Sequence, residues 1–227
     1  MIEDNLKSIL SELPSDVKLV AVSKFHPFEE LLSAYQAGQR RFGENRPQEF
    51  QSKALQLPQD IEWHFIGHLQ TNKLKMVLPY ASLVESIDSL HLLEQVDQWG
   101  RLHDKTVSVL LELHLGAEET KGGFTEDEIV SILSEYSQAV SAGADNPYPK
   151  IRFCGLMGMA SHTDDEAVIE SDFARIEAFK RRLDESFPLL TDFKELSIGM
   201  SDDWPLAIRH GATIVRIGTA IFGPRVY

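Results

Sequence analysis

At 227 residues, 43% hydrophobic and 25% charged, the chain has the length and balance of one soluble domain, and its single cysteine, Cys154, excludes an internal disulfide. A net charge of −13 works against nucleic acid and anionic membranes, which are gripped by clustered Lys and Arg. No apolar run reaches the roughly 20 residues of a bilayer span, and the acidic amphipathic start MIEDNLKSILSELPSD is not a signal or transit peptide, so a cytoplasmic protein is expected.

The apolar pattern switches repeatedly between short continuous runs and helical spacing. A helix over residues 2–13 precedes a buried strand, Val17–Ser23; Pro27 then opens a helix that Gly38 ends. A weak strand at Arg41–Glu44 leads to a helix from Pro47 to Leu57. A third strand, Ile61–Gly67, is followed by a short helix, Asn72–Leu78. The fourth strand is Leu83–Ile87, with Ser89 capping a helix to His103. The fifth is Thr106–Leu115, with its helix at Glu126–Ala142. Ile151–Met159 precedes the longest helix, Asp164–Phe187. Leu196–Met200, a short helix at Asp203–His210, and the eighth strand at Thr213–Gly218 complete the series. Strand and helix alternate with no hairpin signal, which predicts parallel strands joined by helical crossovers. An open sheet for a dinucleotide needs a glycine-rich turn after its first strand. Here that strand runs into SKFHPFEE, without glycine. The expectation is a single (β/α)8 TIM barrel forming one domain over residues 1–227.

Barrel sites lie at the C-terminal ends of the strands. That rule selects Ser23, Lys24, Glu44, Asn45, His68, Met157, Met159, Met200, Ser201, Arg216, Gly218 and Thr219. Lys24 is either a solvated loop lysine or an amine held at the mouth for imine formation. Barrels often bind phosphate between the loops after strands seven and eight. Ser201, expected at the start of a helix, and Gly218 and Thr219 stand at those two ends, although Ser201 as a mere helix cap is the alternative. Arg216 sits inside the apolar run TIVRIG, so it needs a partner, either a core carboxylate or a ligand. Pyridoxal 5′-phosphate fits this spacing: phosphate on Ser201, Gly218 and Thr219, ring nitrogen on Arg216, aldehyde on Lys24. Asn45 either donates an amide to a ligand or caps the helix near Pro47. The histidines, His64 and His68 included, share no metal-ligand spacing, so no metal is expected. Cys154 reads as a small core residue. KGGF at Lys121–Phe124 reads as a mobile glycine-rich loop.

At these same residues the chain resembles the YggS/PROSC family of pyridoxal phosphate homeostasis proteins. The matching pieces are AVSK at Ala21–Lys24, FGENRPQE at Phe42–Glu49, WHFIGHLQTNK at Trp63–Lys73, GLMGM at Gly155–Met159, LSIGMSDD at Leu196–Asp203 and VRIGTAIFG at Val215–Gly223. Pro47 and Ile198 depart from the common pattern, each conservatively. The resemblance implies the barrel half of alanine racemase without its second domain. It implies a Schiff base of pyridoxal phosphate on Lys24, phosphate on Ser201, Gly218 and Thr219, Arg216 facing the pyridine nitrogen, and Asn45 beside the ring. It further implies a role in intracellular cofactor homeostasis and amino-acid and keto-acid balance, with free amino acids and pyridoxal phosphate-requiring apoenzymes as partners, in a monomer without turnover. A small amino-acid racemase and a sugar-phosphate isomerase lacking the cofactor are the rival readings. Against racemisation, no tyrosine (Tyr35, Tyr80, Tyr136, Tyr148 or Tyr227) falls at a strand end.

Overall fold

The computed structural model describes residues 1–115 and 122–224. Lys121 of the KGGF segment and Tyr227 lie outside the described residues.

Eight parallel strands close in sequence order into a barrel: β1 (Lys18–Val22), β2 (Arg41–Glu44), β3 (Glu62–Phe65), β4 (Ala81–Ile87), β5 (Val107–Leu113), β6 (Ile151–Gly158), β7 (Glu195–Ser197) and β8 (Ile214–Ile217). β8 returns to pair with β1, Val20 opposite Arg216. The helices are α1 (Ile2–Glu12), α2 (Phe28–Gln36), α3 (Pro47–Gln56), α4 (Leu74–Val77), α5 (Leu90–His103), α6 (Glu126–Ala142), α7 (Glu166–Ser186), α8 (Trp204–Arg209) and α9 (Thr219–Phe222). A 3-10 turn at Thr71–Lys73 leads into α4.

Local chemistry accounts for several boundaries. Pro47 begins α3 at the position where its missing N–H costs nothing. The Ser89 hydroxyl accepts from the Leu92 N–H to start α5. Thr125 and Glu128 form a reciprocal capping box on α6, which Gly143 ends in the left-handed region. One large apolar core fills the space between barrel and helices. A smaller one, Val20, Leu83, Leu110, Met157 and Ile214, plugs inward-facing strand positions. At the N-terminal end of the barrel, Lys18 pairs with Glu195 and Arg41 with Glu62. No helix among the described residues is long and apolar enough to cross a membrane.

Three expectations are corrected. The seventh strand ends at Ser197, because Gly199 turns the chain at φ +92° and brings it against Trp204 and Ala207. α9 was not anticipated. Phe124 is not part of a loose loop: its N–H donates to the Glu112 carbonyl at 2.8 Å, its carbonyl accepts from His114 at 2.9 Å, and its ring is buried.

Candidate functional site

The strand ends deliver most of the expected residues to the barrel mouth, whereas Ser23 and Glu44 are buried beneath it. Lys24, Asn45, Ser201, Arg216, Gly218 and Thr219 all line one cavity of about 450 Å3, with Gly67, His68 and Met157 also in its wall.

At the ends of β7 and β8, Ser201 is not a helix cap; Asp203 is the N-cap of α8. The Ser201 hydroxyl oxygen instead accepts from the backbone N–H of Gly218 at 3.2 Å and of Ala220 at 3.5 Å. Two loops that sequence placed side by side are thus tied by one hydroxyl. A Cβ on Gly218 would sit 3.1 Å from the Val22 carbonyl oxygen, tighter than ordinary van der Waals contact. At the ends of β2 and β3 the approach is closer. A Cβ on Gly67 would fall 2.3 Å from the Asn45 carbonyl oxygen, so only glycine fits. Asn45 does not cap α3, whose N-cap is Arg46. Its Oδ1 is buried with no hydrogen-bond partner.

Arg216 is buried and meets the first of the two partners expected of it, a core carboxylate, together with polar groups of β6 and β7. It donates through Nη1 to the Ser197 carbonyl at 2.8 Å and hydroxyl at 2.5 Å, and through Nη2 to the Gly158 carbonyl at 2.9 Å. Glu85 lies 3.6 Å away. Glu85 also accepts from Ser197 at 2.6 Å and faces His64 Nδ1 at 2.5 Å. Burial pushes the Glu85 carboxyl up, but His64, Arg216 and Ser197 outweigh it and hold the group below its ordinary range. Nε of Arg216 is spent on no protein acceptor among the described residues, and the side chain lines the cavity.

Two acids lie near the mouth. Burial, reinforced by Asp88, raises the Glu112 carboxyl to about 7. Asp88 itself holds His68, its Oδ2 2.7 Å from Nδ1. His64 and His68 therefore serve different carboxylates. Under the lysine turn, burial raises Glu44 to about 7 against the pull of Lys53. Burial likewise raises the half-buried Cys154 thiol, which removes it as an activated nucleophile.

Sequence reasoning missed Glu85, Glu112, Gly67 and the role of His68. Glu85 in SLVESI and Glu112 in TVSVLLELHL carry the signal that singled out Arg216, a charge inside an apolar run. His68 was weighed only as a metal ligand.

The profile of the family described as alanine racemase, N-terminal domain, matches residues 1–226. The chain is 36% identical over 216 residues to the pyridoxal phosphate homeostasis protein of Pasteurella multocida, covering 94% of this chain and 88% of that one. The structure of PipY of Synechococcus elongatus with PLP bound superposes with a TM-score of 0.86 at 35% identity, over 98% of this chain and all of that one. Clostridium difficile alanine racemase, 15% identical, shares the fold at a TM-score of 0.71, and the match takes in 56% of its length.

Proposed function

The chain belongs to the pyridoxal phosphate homeostasis proteins, a family built on the alanine racemase N-terminal barrel, and on that premise we propose that it holds pyridoxal 5′-phosphate covalently through Lys24 and buffers or delivers it inside the cell. The observation that carries this reading is the convergence of Lys24, Asn45, Ser201, Arg216, Gly218 and Thr219 on one cavity at the barrel mouth.

The residues present fit the cofactor. An unpartnered buried Asn45 Oδ1, and a Gly218 backbone that lines the cavity without a side chain, both suit a bound polar molecule. Ser201, Gly218 and Thr219 would hold the phosphate, Arg216 the pyridine nitrogen, and Asn45 would lie beside the ring. When bound, the cofactor supplies an aldehyde that condenses reversibly with amines and a ring able to draw off electrons. Arg216 does not surrender its proton, so it would donate a hydrogen bond to the ring nitrogen without protonating it. Ser197, Gly158 and Glu85 pin the guanidinium in place. This arrangement favours a carrier over a catalyst of carbanion chemistry. Free amino acids and apoenzymes are the partners that would take up the cofactor, the protein acting as a cytoplasmic monomer.

One observation favours a second reading, a weak racemase: His68, oriented by Asp88, lines the same cavity as Lys24 and is the kind of second base a racemase needs. Among the described residues no tyrosine lines it.

The test has two arms on one sample. Absorption spectra before and after borohydride reduction, with peptide mapping, should place the adduct on Lys24; an adduct on Lys73 or Lys53 overturns the assignment. Incubation of the loaded protein with L- and D-amino acids in heavy water should show negligible α-deuterium exchange. Exchange within the enzymatic range of about 1–1000 per second selects the racemase instead.

A further inference from the structure

We propose that Lys53 and Glu49 on α3 are positioning residues for Lys24, gripping the backbone on both sides of it so that its amine is presented in one fixed setting. The proposal rests on the reading of Lys24 as the cofactor lysine.

Lys53 is a buried lysine, 3% exposed, beneath the turn that follows β1. An ammonium has three hydrogens to place, and Lys53 places three: on the Ser23 carbonyl at 2.7 Å, on Glu44 Oε1 at 2.7 Å and on Glu49 Oε1 at 2.6 Å. Ser23 is the residue before Lys24. Its hydroxyl also donates to Glu44 Oε1 at 2.6 Å. Phe25 is the residue after Lys24, and its N–H donates to the same Glu49 Oε1 at 2.8 Å. The peptide groups flanking Lys24 are thus joined through one carboxylate and one ammonium.

The turn so held is strained. Phe25 adopts φ +69°, a left-handed conformation that costs a bulky side chain on the order of 1–3 kcal/mol and persists only where the surroundings impose it. The Arg46 guanidinium stacks 4.3 Å over the Phe25 ring, and the His26 ring stacks 4.7 Å from Phe222 of α9. Packing alone does not call for such a device. Replacing a buried ion pair by apolar side chains of similar volume is often neutral or stabilising. The charges here terminate on the two peptide groups that fix the direction of the Lys24 side chain. An amine that forms and releases a covalent bond many times must return to the same place each time, and orientation of this kind raises the effective concentration of a reacting group.

The experiment compares full-length wild type with Lys53→Met, Glu49→Ala and Glu49→Gln. In the apo-protein, the rate and pH midpoint of Lys24 labelling by trinitrobenzenesulfonate are read by peptide mass spectrometry. Capture of added pyridoxal phosphate is followed by stopped-flow absorbance, and unfolding midpoints are measured alongside. Lys53→Met and Glu49→Ala should slow capture by about tenfold or more and move the labelling midpoint. Glu49→Gln, which keeps an oxygen for the Phe25 N–H, should recover most of the rate. Folded Lys53→Met and Glu49→Ala proteins matching wild type in both readouts overturn the proposal. If Lys53→Met does not fold, Glu49→Ala decides, since the Glu49 side chain is 22% exposed and lies outside the apolar core. If wild type captures nothing at Lys24, the cofactor reading fails, and the labelling midpoints still judge the clamp.

Discussion

The wall of the cavity formed by β1 and β2 carries Lys24 above a buried ammonium with three acceptors, whereas the wall formed by β7 and β8 carries Ser201, Gly218 and Thr219, with the Ser201 hydroxyl accepting from the N–H groups of Gly218 and Ala220. The first wall spends buried charge, which is costly to remove from water, to fix one short segment of chain. The second spends only weak internal bonds, which can be given up to a stronger acceptor such as a phosphate. Bond formation needs a fixed amine, while ligand entry needs donors that can be released. The cavity divides these requirements between two neighbouring pairs of strands, joined where β8 meets β1.

The sharpest way to break that division is to remove the amine. Lys24→Ala should abolish the borohydride-fixed adduct altogether while leaving the unfolding midpoint of the apo-protein close to wild type, because Lys24 lies in the cavity wall and not in the core. A large loss of stability would show that the lysine wall is a structural element first.

A smaller effect is expected at the second wall. Ser201→Ala and Thr219→Val should each weaken pyridoxal phosphate by about 1.5–3 kcal/mol, roughly ten- to a hundredfold, and dephosphorylated pyridoxal much less. Equal losses for the two ligands, measured by equilibrium titration, would remove the phosphate from this wall.

The smallest effect concerns Glu112, whose carboxyl is raised by burial and by Asp88 from 4.5 to about 7. A raised carboxyl means that the folded state holds a proton the unfolded state has lost. Its contribution to stability is therefore complete below pH 4.5 and disappears as pH climbs through 7. Glu112→Gln stays neutral throughout, so between pH 5 and 8 it should lose less stability than wild type, by on the order of 1–2 kcal/mol. Glu44, also raised to about 7, tilts both proteins alike. Parallel pH profiles in denaturant titrations would place the Glu112 carboxyl in water.

Most of the barrel was legible because buried parallel strands leave continuous apolar runs, and VKLVAVS, TVSVLLELHL and TIVRIG are hard to read otherwise. The same periodicity put Lys24, Asn45, Ser201, Arg216, Gly218 and Thr219 at strand ends, where they do converge. It failed where bonding in space overrides local pattern. In SDDW three residues can cap a helix, and only the fold assigns that place to Asp203 and frees Ser201 for β8. Glu49 and Lys53, four apart on a helix, carry no local mark that separates them from a common surface ion pair. Nothing in the spacing says that the turn after β1 lies on top of them. The tetrapeptide Thr219–Phe222 was too short for any helical period to register.

Arg216 also constrains how such a barrel can change over generations. β7 has three residues, and a single register pair, Ser197 with Ile214, links it to β8. From β8 the guanidinium reaches the Ser197 carbonyl on β7 and the Gly158 carbonyl on β6, riveting the narrowest joint of the hoop. A carboxylate at this position would strand both carbonyls and set a second acid beside Glu85. A lineage that replaces Arg216 must first rebuild the joint, so the residue resists being traded away.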